Sequence, residues 1–99
     1  MLVRVWEYDV PEAQRLEFER RYGRAGDWAA LFAASPGFVG TDLYQCVDRP
    51  GHYLTVDRFA DEAAWHGFLA RHSDDYARLD DECASLTLAE HEVIAGTAD

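Results

Sequence analysis

The sequence predicts an α+β fold: a four-stranded antiparallel sheet with two broken helices on one face, connected as a split βαβ arrangement. Three observations carry that prediction. Strand-like runs occupy residues 2–9, 38–47, 52–59 and 85–94; helical spacing fills the intervals after the first and third; and a turn-forming "DRPG" joins the middle two.

The first run, "LVRVWEYD", is rich in β-formers, with apolar side chains at both odd and even positions, so both faces of this strand are expected to be covered. Pro11 suits a first helical turn, and "PEAQRLEFERRYG" carries acids early and arginines late, in line with the helix dipole, before Gly23 stops it. Asp27 is the expected cap of a second short helix in which Trp28, Leu31 and Phe32 share a face until "SPG" at 35–37. A β-hairpin follows, 38–47 paired with 52–59. Asp61 then caps a helix lined by Trp65, Phe68, Leu69 and His72, and Ser73 is expected to open another bearing Tyr76, Leu79, Cys83 and Leu86. The segment 85–94 closes the chain as a last strand.

At 99 residues the chain is read as one domain, 1–99, and its 48% hydrophobic and 13% aromatic content is too high for disorder. Nineteen acidic against nine basic side chains give a formal charge of −10, which repels nucleic acid and anionic membrane surfaces. No apolar run is long enough to span a bilayer and no signal sequence opens the chain, so a cytoplasmic protein is expected. Cys46 and Cys83 form no CxxC or Cys/His pattern, consistent with reduced thiols. The hairpin strands carry apolar side chains on both sides: Val39, Leu43, Leu54 and Val56 are assigned to one face, Phe38, Tyr44, Tyr53 and Phe59 to the other. One chain's helices cannot cover both, so a homodimer is expected to bury the second face.

Several chemistries are excluded by spacing. His66 and His72 lie six apart on one helix and point to different sides, there is no HExxH, and no dedicated metal site is expected. A G-x-S-x-G elbow and a dinucleotide-type glycine fingerprint are both missing. What remains is an aromatic set with ionisable groups among it. His72 and Tyr76, one turn apart, can serve as base and hydrogen-bond donor toward a phenol, although a helix-terminal histidine also caps carbonyls. In a regular hairpin with a two- or four-residue turn, Asp42 and Tyr44 share a face with Asp57 and Phe59. Asp42 then stands opposite Asp57, with Arg58 or Arg4 as relieving cation, or Tyr44 stands opposite Asp57 and bonds to it. A salt-bridged strand edge is the plainer outcome. Trp6, Trp28 and Trp65 are core residues that can also wall a pocket.

The phrases Pro36-Gly37-Phe38 with Gly40, Asp57-x-Phe59, and Asp61 followed by Ala64-Trp65 resemble the antibiotic biosynthesis monooxygenase superfamily across nearly the whole chain. That resemblance implies ferredoxin-like protomers paired into a dimeric α/β barrel, with a pocket between sheet and helices. It also implies oxidation of a phenolic, polycyclic aromatic, polyketide-like substrate by dioxygen with no bound cofactor. The usual tryptophan closing the third strand is Phe59 here. The asparagine, tryptophan and histidine of the haem-degrading branch would fall near Trp6 or Glu7, on Phe68 and close to Asp80, so none is present. The candidate site is therefore His72 or Asp57 as base, Tyr76 or Arg58 as anion partner, and Trp6, Trp28, Tyr44, Phe59, Trp65 and Phe68 as substrate-binding surface. A non-oxidative binding protein, isomerase or cyclase aid on the same dimeric scaffold is the alternative.

Overall fold

β-Branched and aromatic side chains on both sides of the first segment suit a pleated, two-sided surface, and the computed structural model, which describes residues 1–98, forms β1 there (Leu2–Asp9). Pro11 precedes a 3-10 turn (Glu12–Gln14) that runs into α1 (Arg15–Tyr22). Within α1, Glu17 accepts from Arg20 at 2.7 Å and from Arg21 at 3.2 Å. The next helix, α2 (Asp27–Phe32), starts differently from the sequence expectation. Gly26 is the extended residue before it, and the Asp27 carboxylate accepts from Arg21 at 2.8 Å instead of capping the turn.

β2 (Phe38–Gln45) and β3 (His52–Phe59) form the hairpin, and α3 (Glu62–Cys83) follows with Asp61 as its cap, accepting the Ala64 N–H at 2.8 Å. The expected change of helix at Ser73 is present as a kink: His72, with φ of −127° and ψ of 22°, leaves the helical region, and α3 is two helical segments joined there. The bend turns two buried stripes, Trp65 and Phe68 before it and Leu79 and Cys83 after it, onto the same core. The last strand also begins later than expected: Ala84–Leu86 form a 3-10 turn that buries Leu86, and β4 spans Ala89–Thr97. Leu88 N–H donates to the Asp9 carbonyl at 2.7 Å, which starts that ladder.

The sheet order is β2-β3-β1-β4, all pairs antiparallel, with the helices on one face. The hairpin register corrects the expected face assignment. Thr41, not Asp42 or Tyr44, stands opposite Asp57, and Gln45 stands opposite Tyr53. The connection is odd in length: Cys46 N–H still donates to the His52 carbonyl at 2.8 Å, leaving residues 47–51 as the loop. Gly51 makes that possible. Its φ of 85° is left-handed, and its carbonyl accepts the Val10 N–H at 2.8 Å, docking the loop onto the end of β1. Tyr53, Thr55, Asp57 and Phe59 consequently face the helices together with Thr41 and Leu43, while Asp42, Tyr44, Leu54 and Val56 face away.

The core lies between helices and sheet, where Phe18, Phe59 and Phe68 are fully buried. The motif glycines have local reasons. A methyl on Gly37 would collide with Cβ of Ala64, and Gly40 sits in a register shift after Phe38. On the opposite face of the sheet Val39, Tyr44, Val93 and Ile94 are each more than half exposed. Val3, Val5, Leu54 and Val56 extend that apolar surface by register. Polar pairs flank it: Asp42 with Arg24 and Arg58, and Asp9 with His52. Among the described residues no helix is long and apolar enough to cross a membrane.

Candidate active site

Strand alternation sets Leu2, Arg4, Trp6 and Tyr8 of β1 on the helix side. Leu2 and Tyr8 fill the core at either end, which leaves Arg4, a cation, on an otherwise apolar face. Register then assembles a row across the sheet: Thr41 opposite Asp57, and Asp57 opposite Arg4. Opposed side chains in such pairs stand about 5 Å apart at Cβ. Above this row the helices stop short of the sheet and leave a cavity of about 110 Å³. Trp6, Tyr8, Tyr22, Trp28, Phe32 and Tyr76 supply its aromatic walls, and Thr55, Asp80 and Glu90 complete the lining together with that row.

The polar groups in the cavity are tightly specified. Thr41 Oγ1 donates to Asp57 Oδ1 at 2.7 Å. Burial pushes the Asp57 carboxyl up to about 6, against the opposing pull of the Thr41 hydroxyl and the guanidiniums of Arg4 and Arg58. Arg4 is held from two sides: Nη2 pairs with Glu92 Oε2 at 2.7 Å, and the guanidinium lies 4.0 Å over the centre of the Trp65 ring. Burial raises the Tyr76 hydroxyl as well, offset in part by Arg4 beside it. Tyr8 and Tyr22 are also pushed up by burial, so all three phenols stay protonated and can donate at neutral pH. The Tyr8 and Thr55 hydroxyls share a hydrogen bond of 3.3 Å, whereas the buried indole N–H of Trp28 meets no acceptor.

The sequence-predicted residues divide accordingly. Asp57, Tyr76, Trp6 and Trp28 line the cavity. His72 does not: at the bend of α3 its ring packs against Phe68 with centroids 5.5 Å apart, and Nδ1 lies 3.6 Å from Asp75. Arg58 is on the far face of the sheet, paired with Asp42 at 2.7 Å, and Tyr44 is half exposed on that same face. Tyr44 was displaced by the odd loop length, which inverts the face of β2 from Thr41 to Gln45 relative to β3, whereas Arg58 follows Asp57 on the same strand and alternation alone turns it to the other face. Phe59, Trp65 and Phe68 are core, packed on one another and on Phe32. Arg4 is the charged cavity residue that the sequence analysis names only as a relieving cation. Its signal was available, a charge among Leu2, Trp6 and Tyr8 on one strand face.

A split βαβ chain with a ring-lined cavity floored by a carboxyl and a guanidinium is an α+β protein of the ferredoxin-like type. The family model described as antibiotic biosynthesis monooxygenase matches residues 1–78. The chain belongs to that family. Among solved structures it is similar to an alanine mutant of SnoaB, a cofactor-independent oxygenase from Streptomyces nogalater. The two are 25% identical, with 98% of this chain and 91% of that one covered and a TM-score of 0.79. A structure described as antibiotic biosynthesis monooxygenase is 18% identical, covering 100% of this chain and 99% of that one, with a TM-score of 0.66. A mutant of MhuD with two manganese protoporphyrin IX bound per active site is 20% identical, with coverages of 99% and 95% and a TM-score of 0.71. The last two show the shared fold. No curated protein matches the chain.

A porphyrin does not fit the residues present. The cavity lining holds no imidazole or thiolate to ligate an iron, and its tyrosine hydroxyls are held neutral by burial. Among the described residues no cluster of histidine, cysteine and carboxylate suits a metal ion either.

Proposed function

We propose that the chain is a homodimeric, cofactor-independent monooxygenase that oxidises a phenolic polycyclic aromatic with dioxygen, using Asp57 as base and Arg4 with Tyr76 as anion partners. The observation that carries this reading is the row Thr41, Asp57 and Arg4 beneath Tyr76, enclosed by aromatic rings. A carboxyl raised to about 6 is mostly ionised at neutral pH yet basic enough to take a hydroxyl proton. Asp57 removes that proton from the enol form of an anthrone-like ring. The resulting anion is stabilised by Arg4 and by a hydrogen bond from Tyr76.

Dioxygen adds to the electron-rich ring carbon, forming a C–O bond and a peroxide anion that is protonated in the cavity. Loss of the remaining C–H proton with O–O cleavage gives the carbonyl of the quinone and one water. One dioxygen is thus consumed per quinone, with one oxygen atom in product and one in water. The walls exclude bulk solvent, which keeps the anion reactive and the hydrogen bonds strong.

Incubating the protein with a hydroxyanthrone in air should form quinone well above the spontaneous rate, with matching oxygen uptake. A rate equal to the protein-free control sinks the proposal for that substrate class. The homodimer rests on the exposed apolar face of the sheet, where Val39, Tyr44 and Ile94 have no cover within the chain. Sedimentation at micromolar concentration should give twice the 11.2 kDa chain mass, and Val5→Arg, placed in the middle of that face, should give the single chain. A monomer in the unaltered protein removes the dimer from the proposal.

A further inference from the structure

We infer that the cavity selects an uncharged, uncarboxylated polycyclic phenol, and that Asp80 and Glu90 at its mouth enforce the choice. This rests on the cavity being an aromatic-substrate site, as proposed above, and narrows the substrate class. The direction of entry follows from exposure. Tyr8, Tyr22, Trp28, Phe32, Thr41 and Thr55 are buried and form the inner end, whereas Asp80 of α3 and Glu90 of β4 are exposed and form the rim.

The lining sets a single guanidinium, Arg4, against the three carboxyls of Asp57, Asp80 and Glu90. Before any proton moves, Arg4 is matched by Glu92 and faces the Asp57 carboxylate, so it is turned toward a substrate anion only once Asp57 has taken the substrate's proton. Burial and the charge of Asp80 both push the Glu90 carboxyl up, so the two rim groups already repel one another. A carboxylate on the substrate would join that repulsion and meet no free cation, and the chain's net charge of −10 disfavours its approach at longer range. The inner end asks for an uncharged oxygen. It is lined by rings and neutral hydroxyls, Tyr8, Tyr22, Thr41 and Thr55 among them, which suit a ring carbonyl or hydroxyl.

The test is anaerobic titration of the intact protein with a dihydroxyanthraquinone and with the same ring bearing one carboxylate, read by quenching of tryptophan fluorescence. The neutral ring should bind about tenfold tighter or more. The preference should shrink at least threefold, roughly, in the Asp80→Asn/Glu90→Gln double variant and as salt screens the rim. Equal or tighter binding of the acid overturns the inference while leaving the aromatic cavity standing. A preference indifferent to salt and to both substitutions assigns the exclusion to shape and also overturns it. Binding of neither ring removes the aromatic-site reading and this inference together.

Discussion

Asp57→Asn should lower quinone formation by about 100-fold or more while leaving the protein folded and able to bind ligand. The asparagine side-chain oxygen can still accept from Thr41, so the local geometry persists, but the amide cannot take a proton near neutral pH. In the unaltered enzyme the rate should rise with pH along a limb near 6, where Asp57 ionises, and the variant should lack that limb. A non-catalytic binder would show no such loss, since its function needs no base. Full turnover in the variant would remove Asp57 from the mechanism.

The same substitution should stabilise the protein, and the sign follows from the direction of the shift. A carboxyl raised from 3.8 to about 6 on folding holds its proton more tightly in the native state. The contribution to stability is complete below the unfolded value, is lost as pH rises through the native value, and stays lost above it. Asp57→Asn escapes that loss. Its unfolding free energy should match that of the unaltered protein in acid below the unfolded value and exceed it by about 3 kcal/mol at neutral pH. Denaturant titrations at the two extremes check this. Keeping the Asp57 carboxyl ionised in its buried place costs stability, which is the trade expected of the base proposed above.

Phe59→Ala should cost about 3–5 kcal/mol, much of the total stability of a chain this size, without selectively opening the substrate site. Its ring is fully buried and meets Phe32 at 5.5 Å, Phe38 at 5.3 Å and Trp65 at 5.2 Å between centroids. Truncation therefore leaves a void shared by β2, β3, α2 and α3. A large fall in urea midpoint is the expected result. A near-unchanged midpoint with altered substrate affinity would instead make Phe59 a cavity wall.

The contrast between these residues shows what the chain revealed before its structure was known. Local chemistry was legible: the Asp61 cap and the helical stripe of Trp65 and Phe68 report on neighbours a few positions away. The "PGF" entry to β2 was legible through the family resemblance, although its glycine makes room for the distant Ala64. Family resemblance carried the architecture. The hairpin's facing was not legible, because one residue more or less in a loop reverses which side chains point inward. The deciding contact, Gly51 against Val10, is made with β1 far away in sequence. Tyr44 lies away from the cavity for that reason, Arg58 does so because it follows Asp57 on one strand, and Arg4 is the guanidinium that lines the cavity. His72 marked a real break in α3, but the bend turns its ring onto Phe68 and toward Asp75.

All four strands and all three α-helices contribute at least one side chain to the cavity lining, from Arg4 through Tyr22, Trp28, Thr41, Asp57 and Tyr76 to Glu90. The hollow consequently vanishes when any part of the chain melts, and an occupant can lodge only in the intact protein. Any compound filling it must raise the melting temperature by mass action, by about 2.7 kcal/mol of added stability at a hundredfold excess over its dissociation constant. Heating the protein beside a panel of aromatic natural products therefore ranks candidate substrates before a single turnover is measured.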